Sequence, residues 1–508
     1  MSAALGALQE RPTRPKPPPG PYLVAGVGKA GLAAAAALAR LGGPARVKAW
    51  DGFVSPVTEQ ARSKLRARGV DSELGGDGIQ MLARDPRPMC IVKSPGIPCD
   101  SPLLVEAAHR GVTVVDELEL GWRLGRAPLI AVTGTNGKST TASLVLAALQ
   151  GASITASLAG NTDFGPPLSS VPGDSPCVVC EVSSFQLEGC PGFLPEAAVF
   201  TNLSREHLHR HGTMERYGEV KRRLFLRDGL ASPLSVMNTD QAYGRELADA
   251  VEEAGGRAVR YGTSPQADYR LESCEWDLRS GRARIRTPEG ALTVVTRHPG
   301  AHNAANVTAA LALAGALGLD RDATLVRLSA APPVPGRFEP IDQGQPFDVV
   351  VDFAHTHDAL LNVIRTARRI VSARPGGRLI AVVSAPGTHD PPKRPQMGRI
   401  ARRLTDELVI TTTSTYGEAP EAAVEGLLAG ARSAGGAALS AAMDRRAAID
   451  MALRRAGAGD LVLVAGRGAL PTLKLDRSGA GPPFDDRVVV RELLAKLTEP
   501  VAPATAAN

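Results

Sequence analysis

Short apolar runs alternate with helical stretches along most of the chain. Between residues 21 and 125, YLVAGVG, ARVKAWD, MCIVKSPGIP and VTVVDELEL have strand length, and AGLAAAAALARLG has helical character. Such alternation predicts βαβ units around a parallel sheet. A second block opens with LIAVTGTNGKSTTASLVLAAL, an apolar strand that runs through a glycine turn into a helix. It continues through CVVCEVSSFQLE and AAVFTNLS to HNAANVTAALALAGALG. The proline-rich APPVPGRFEP, 331–340, reads as a linker. Beyond it the theme returns in FDVVVDFAH, GRLIAVVSAP, ELVITTT and DLVLVAGRG, and no short repeat suggests a solenoid. The expected fold class is α/β in three domains, 21–126, 127–333 and 334–496. A disordered leader is expected at 1–20 and a flexible tail at 497–508.

Composition narrows the class without naming it. At 508 residues, 44% hydrophobic and 22% charged, the chain can bury large cores. Its 4% aromatic content reads as compositional bias. A net charge of +6, with no basic run interleaved with aromatics, gives no reason to expect nucleic acid as a partner. No window approaches a membrane span and no secretory signal opens the chain, so a cytoplasmic location is expected. The six cysteines are scattered. Cys177 and Cys180 have CxxC spacing, but they sit in a predicted strand where positions three apart face opposite ways, so buried spectator thiols are expected.

The glycine turn of the second block carries the clearest chemistry. A P-loop places a glycine four residues before Gly-Lys-Ser/Thr. Gly137, Lys138 and Ser139 fit, but the upstream position is Val132, and the nearest upstream glycine is Gly134. Backbone N–H groups of Gly134, Thr135 and Asn136 and the helix start still face an anion. Lys138 can reach outer phosphates, and Ser139 or Thr140 can hold Mg²⁺.

GVGKAG, 26–31, puts Gly26, Gly28 and Gly31 in GxGxxG register, with Asp51 where a ribose-binding acid would stand. Tight turns alone, a non-redox nucleotide site and NAD all fit this pattern, but no hydride-transfer constellation accompanies it. A second glycine turn, SPGIP at 94–98, suggests a pocket mouth. Glu181 ends an apolar strand, where a carboxylate could reach a metal. His207, His209 and His211 first suggest zinc, yet Gly212 and the surrounding charge argue against a zinc-binding helix. His209 and His211 read equally well as surface residues.

TGTNGKST, EVSSFQLE, NLSREHLHRHGTMERY with Lys221, HNAANVTAA and GRFE follow the order of the Mur ligase family. The resemblance spans nearly everything outside the leader and tail. It implies ATP-dependent amide formation in peptidoglycan precursor synthesis, with a Rossmann-like UDP-binding first domain, a central P-loop ATPase domain and a Rossmann-like C-terminal domain. Carried over by position, Gly134 to Thr140, Asn303, Arg337 and Asp352 would bind ATP. Ser139, Glu181, His207 and a CO₂-derived carbamate on Lys221 would hold two Mg²⁺ ions. Lys138, Lys221, His207 and Arg337 would be catalytic. Glu206 and His209 depart from the family pattern, which has Asp at the first and often at the second.

Within the family the motifs are mixed. GVGKAG, SPGIP and SSFQLE resemble the D-glutamate-adding ligase, so Gly26, Gly28, Lys29, Gly31, Asp51, Ser94, Gly96 and Asn161 would meet UDP-N-acetylmuramoyl-L-alanine. NLSREHLHRHGTMERY, VDFAHTHDAL, KRPQMGRIA and FDDRVVVRELL resemble the ligase that adds the third residue, diaminopimelate or lysine. Tyr416 stands where the diaminopimelate-adding enzyme has an arginine fork. Phe353 and Ala354 follow Asp352 where common D-glutamate ligases have Ser and Lys. Lys393, Thr413 and Phe484 would line the amino-acid site. The resulting expectation is a monomer that adds D-glutamate through an acyl phosphate, with a hinge near 331–336. The alternatives are another amino acid or a partner-dependent subunit.

Overall fold

The computed structural model describes residues 8, 13–162, 164–479 and 481–498. The chain divides into two compact units. The first comprises 1–275, 281–297 and 302–332; the second comprises 276–280, 298–301 and 333–508.

The first unit carries two main sheets. Strands β1 (Tyr22–Ala25), β2 (Val47–Asp51), β3 (Asp71–Leu74), β4 (Cys90–Lys93) and β5 (Thr113–Asp116) form a parallel sheet in the order β3-β2-β1-β4-β5. Every residue of β1 and β4 is buried, which is why both read as unbroken apolar runs. The chain leaves β1 toward one edge and returns through β4 toward the other. The crevice at their carboxyl ends is therefore a topological switch point, where open α/β sheets bind ligands.

The second sheet contains β6 (Leu129–Thr133), β7 (Ser157–Gly160), β8 (Val178–Glu181) and β9 (Ala197–Phe200). After a small hairpin, β10 (Leu226–Arg227) with β11 (Leu230–Ala231), come β12 (Leu234–Asn238), β13 (Arg257–Gly262), β14 (Tyr269–Trp276), β15 (Gly281–Thr287) and β16 (Gly290–Thr296). The nine-stranded order is β16-β15-β14-β13-β12-β9-β6-β8-β7, parallel from β7 to β14 and antiparallel at β15–β16. β6, β8 and β9 are buried throughout, so the loops at their carboxyl ends rest on a rigid base. In the second unit, β17 (Glu339–Ile341), β18 (Asp348–Asp352), β19 (Leu379–Val383), β20 (Glu407–Thr411), β21 (Ala438–Ala442) and β22 (Leu461–Ala465) are ordered β17-β18-β22-β19-β20-β21. Only β17 pairs antiparallel.

The fold is α/β with mostly parallel sheets. The structure adds detail to three of the expected ranges. The leader is anchored over part of its length: Arg14 donates to Glu196, at 2.7 Å, and to the carbonyls of Gly125 and Ala127. Residues 276–280 and 298–301 group with the C-terminal unit rather than the central segment. Trp276 shows why, since its indole donates to Thr366 O at 3.2 Å and Arg369 lies 4.3 Å from its ring. The helix Asp486–Thr498 enters the range expected as tail, and 499–508 lie outside the described residues. Cys177 and Cys180 are fully buried, and burial pushes the Cys177 thiol up to about 12. Among the described residues no helix is long and apolar enough to cross a membrane.

Candidate active site

The phosphate loop follows β6 and is clamped by the exit of β9. Asn202 accepts from Asn136 N at 2.9 Å through its side chain and from Thr135 N at 2.9 Å through its carbonyl. Thr201 Oγ1 donates to Asn136 O at 2.6 Å. Gly137 has a φ of +84°, and a Cβ there would lie 2.5 Å from Asn306 Oδ1. That position thus needs glycine for both space and backbone angle. Lys138 opens the helix Lys138–Gly151, and its Nζ donates to Thr135 O at 2.9 Å. Asn306, which the sequence reading passed over, also accepts from Thr141 Oγ1 and donates to Asn303 Oδ1. The Asn303/Asn306 spacing on one helix face was the available signal. Thr140 is buried in the same turn.

Glu181 ends β8 beside this loop. It accepts from Ser139 Oγ at 2.7 Å and from Asn161 Nδ2 at 3.3 Å. Asn161, expected at the UDP substrate, stands beside the candidate metal carboxylate, because Gly160 of β7 pairs with Glu181 of β8. Lys221 is buried and donates to Gly134 O at 2.7 Å, with its Nζ 4.8 Å from the Tyr217 ring. Burial, reinforced by repulsion from Lys138 and opposed by Glu181, holds its amine well below the usual lysine range.

The histidines do not converge as a trio. Among the described residues no group of three His, Cys, Asp or Glu is placed to hold a metal ion. His207 has a left-handed backbone, φ 60° and ψ 22°, an uncommon conformation for a non-glycine residue. His209 is exposed, whereas His211 is buried, stacked on Tyr217 at 5.2 Å and 2.9 Å from Ser184 Oγ. Ser139, Glu181 and Asn161 supply oxygen-rich surroundings, which suit Mg²⁺ with its retained waters and few protein ligands.

At the first-sheet crevice the three glycines have different tasks. A Cβ on Gly31 would lie 1.7 Å from Gly26 O, so Gly31 serves close helix–strand packing. Gly28 and Gly96, one on each lip, have nothing within 4 Å of a Cβ position and leave room for a ligand to approach the backbone. Ser94 joins the lips by donating to Gly26 O at 3.1 Å. Asp51 accepts from Val27 N and Phe53 N, so both its oxygens brace the turn. Gly28→Ala is expected to leave stability within about 0.5 kcal/mol while weakening about tenfold the binding of a ligand that lies against the Gly28 backbone. Gly31→Ala should cost about 3 kcal/mol by overpacking. Chemical denaturation and UDP titration of both variants check this pair.

In the second unit, Asp352 accepts from Phe338 N and Ala354 N, each at 2.7 Å. The carboxylate expected at the nucleotide thus braces the turn that carries Arg337, whose guanidinium lies 4.2 Å from the Phe353 ring. Lys393 is fully buried. Thr413 and Phe484 meet through Arg467, another residue missed from sequence. This buried guanidinium donates to Thr413 Oγ1, Ser414 Oγ and the carbonyls of Leu470, Thr472 and Phe484. Burial lowers its pKa to about 10. Tyr416 packs edge-on against His389, with ring centroids 4.4 Å apart.

Known proteins share this organisation. The Mur ligase middle domain matches residues 132–314, and the Mur ligase glutamate ligase domain matches 336–468. The chain is 36% identical over 406 residues to the UDP-N-acetylmuramoyl-L-alanyl-D-glutamate–2,6-diaminopimelate ligase of Thermosynechococcus vestitus, covering 73% of this chain and 78% of the relative. It is 31% identical over 423 residues to the ligase of that name from Geobacillus kaustophilus, covering 77% and 83%. A solved diaminopimelate ligase superposes with a TM-score of 0.51 at 27% identity, over 80% of this chain and 92% of that one. In fold alone, UDP-N-acetylmuramate-alanine ligase MurC from Thermotoga maritima gives a TM-score of 0.60 at 20% identity, over 94% and 99%. The two sequence relatives and the first of these solved structures carry the name of the diaminopimelate-adding enzyme, which counts against the D-glutamate expectation. With its phosphate loop, Glu181 and Lys221 set as described, the chain belongs to the Mur ligase family.

Proposed function

We propose that this protein adds the third amino acid to UDP-N-acetylmuramoyl-L-alanyl-D-glutamate, using ATP to activate the peptide carboxylate. The observation that carries the chemistry is the gathering of Ser139, Glu181 and the depressed-pKa Lys221 around Lys138 at the carboxyl edge of β6 and β8. The names of the relatives with 31% and 36% identity support the third-residue step and diaminopimelate as the incoming amino acid.

Carboxylates are poor electrophiles, so a carboxylate oxygen takes the γ-phosphoryl group as its bond to the β-phosphate oxygen breaks, giving an acyl phosphate and ADP. Lys138 offsets charge on the transferring group, and Arg337 does the same. The incoming neutral amine then attacks the acyl carbon, phosphate leaves with the acyl C–O bond electrons, and the amine nitrogen loses a proton to give the amide. Mg²⁺ would be held by Ser139, Glu181, His207 and a carbamate on Lys221, and would neutralise phosphate charge when bound. Carbamylation requires a neutral amine, which the burial of Lys221 favours. The amine nitrogen bonds to the carbon of CO₂ and loses a proton, turning a cation into an oxygen ligand.

The test is ATP-dependent phosphate release with UDP-N-acetylmuramoyl-L-alanyl-D-glutamate and a panel of diaminopimelate, L-lysine and uncharged amino acids. UDP-N-acetylmuramoyl-L-alanine with D-glutamate runs in parallel. Release only in the first arm is expected. Release only with D-glutamate would reverse the assignment. Tyr416 and its His389 contact, in place of an arginine fork, are the reason for including uncharged amino acids.

A further inference from the structure

Two cations cross between the first sheet's crevice and the central sheet's loops. Lys29, on the lip after β1, donates to Gly165 O at 2.7 Å and Thr162 O at 3.4 Å. Arg210, from the histidine loop, donates to Ile97 O on the lip after β4 at 3.0 Å. Lys29 is exposed, whereas the Arg210 side chain is only 11% exposed. Arg210 also forks Glu188 at 2.6–3.1 Å, and its guanidinium lies 4.9 Å from the Phe185 ring.

The contacts continue inward. Glu188 Oε1 lies 3.3 Å from His211 Nδ1, and His211 stacks on Tyr217. The Tyr217 hydroxyl meets Thr135 Oγ1 of the phosphate loop at 3.1 Å, while its ring carries the Lys221 amine. A packed series therefore runs from the crevice lip to the phosphate loop and Lys221. We propose that Arg210 is a positioning residue that couples occupancy of the first-sheet crevice to the set of the phosphate loop and Lys221. A ligand seated between Gly28 and Gly96 fixes the SPGIP turn and, with it, Ile97 O. The planar guanidinium, held by two oxygens of Glu188, passes that constraint to the histidine loop; an ammonium has no such fork. This inference rests on the proposed function, with the uridine nucleotide of the UDP-linked substrate seated in this crevice.

The coupling is measured by calorimetry with UDP and a non-hydrolysable ATP analogue with Mg²⁺, each alone and together. In the unaltered enzyme UDP should tighten analogue binding about tenfold. Arg210→Gln and Arg210→Lys should lose most of that factor while each ligand alone binds as before. Glu188→Gln, which removes one end of the fork, provides a second route if the arginine variants do not fold. In steady state, Arg210→Lys should raise the KM for the UDP-peptide at saturating ATP and the KM for ATP at saturating UDP-peptide by similar factors, and lower kcat. Full coupling in the folded variants overturns the inference, as does its absence from the unaltered enzyme. Weakened binding of both single ligands overturns it too, because that marks a purely structural role. Failure of the unaltered enzyme to bind UDP overturns it together with the proposed function, whereas binding without coupling overturns it alone.

Discussion

Replacing Lys221 with alanine is expected to lower kcat/KM by about 10³-fold, with part of the activity restored by millimolar acetate or formate. The buried amine bonds to Gly134 O, and burial favours its neutral form, the form that reacts with CO₂. Alanine would remove the proposed carbamate and leave a space into which a small carboxylate can bring the missing oxygens. Lys221→Met fills that space with an apolar chain and should be equally inactive but not rescued. Steady-state phosphate release with and without added carboxylate reads the effect, and thermal melting confirms folding. A ¹³C carbonyl resonance after exposure to labelled CO₂, absent from both variants, would identify the modification. Full activity of Lys221→Ala would remove the role assigned here.

Lys138→Ala should reduce ATP-dependent phosphate release by about 10³-fold as well, with binding of the UDP-peptide retained. The lysine begins the helix Lys138–Gly151, close to the loop N–H groups that would face a phosphate. Repulsion from Lys138 adds to burial in lowering the Lys221 pKa, so the two sites are coupled. The losses on combining the two substitutions should therefore depart from a simple product. Independent, multiplied losses would show that the lysines act separately.

The make-up of the glycine–lysine loop was legible because it is local. The run from Gly134 to Thr140 holds its glycines, lysine and hydroxyls within one turn, whereas its set comes from Thr201, Asn202 and Asn306. Glu181 was legible for a similar reason, since an acid at the end of a buried apolar strand must emerge at the sheet edge. Other residues gained their roles from distant partners. Asn161 reaches Glu181 only because β7 pairs with β8, and Asp51 is occupied by the N–H of Val27 from β1's turn. His211, equally readable as a surface residue, is enclosed by Ser184, Glu188 and Tyr217. Arg14 lay in a leader expected to be disordered, yet Glu196 and the Gly125 and Ala127 carbonyls hold it more than a hundred residues away.

By itself the sequence determined the alternating α/β order, the composition of 331–340, the glycine–lysine turn after an apolar strand and the family to which five ordered motifs point. Periodicity and glycine spacing are properties of neighbouring residues and survive without a fold. Tertiary structure decided which side chains share a site. It set Asn306 against Gly137, Asn161 on Glu181, Arg467 among Thr413, Ser414 and Phe484, and Arg210 between Ile97 and Glu188. Strand order and burial decide these pairings. A carboxylate, amide or guanidinium taken from water must find partners, and which partners lie within reach depends on elements far apart in the chain.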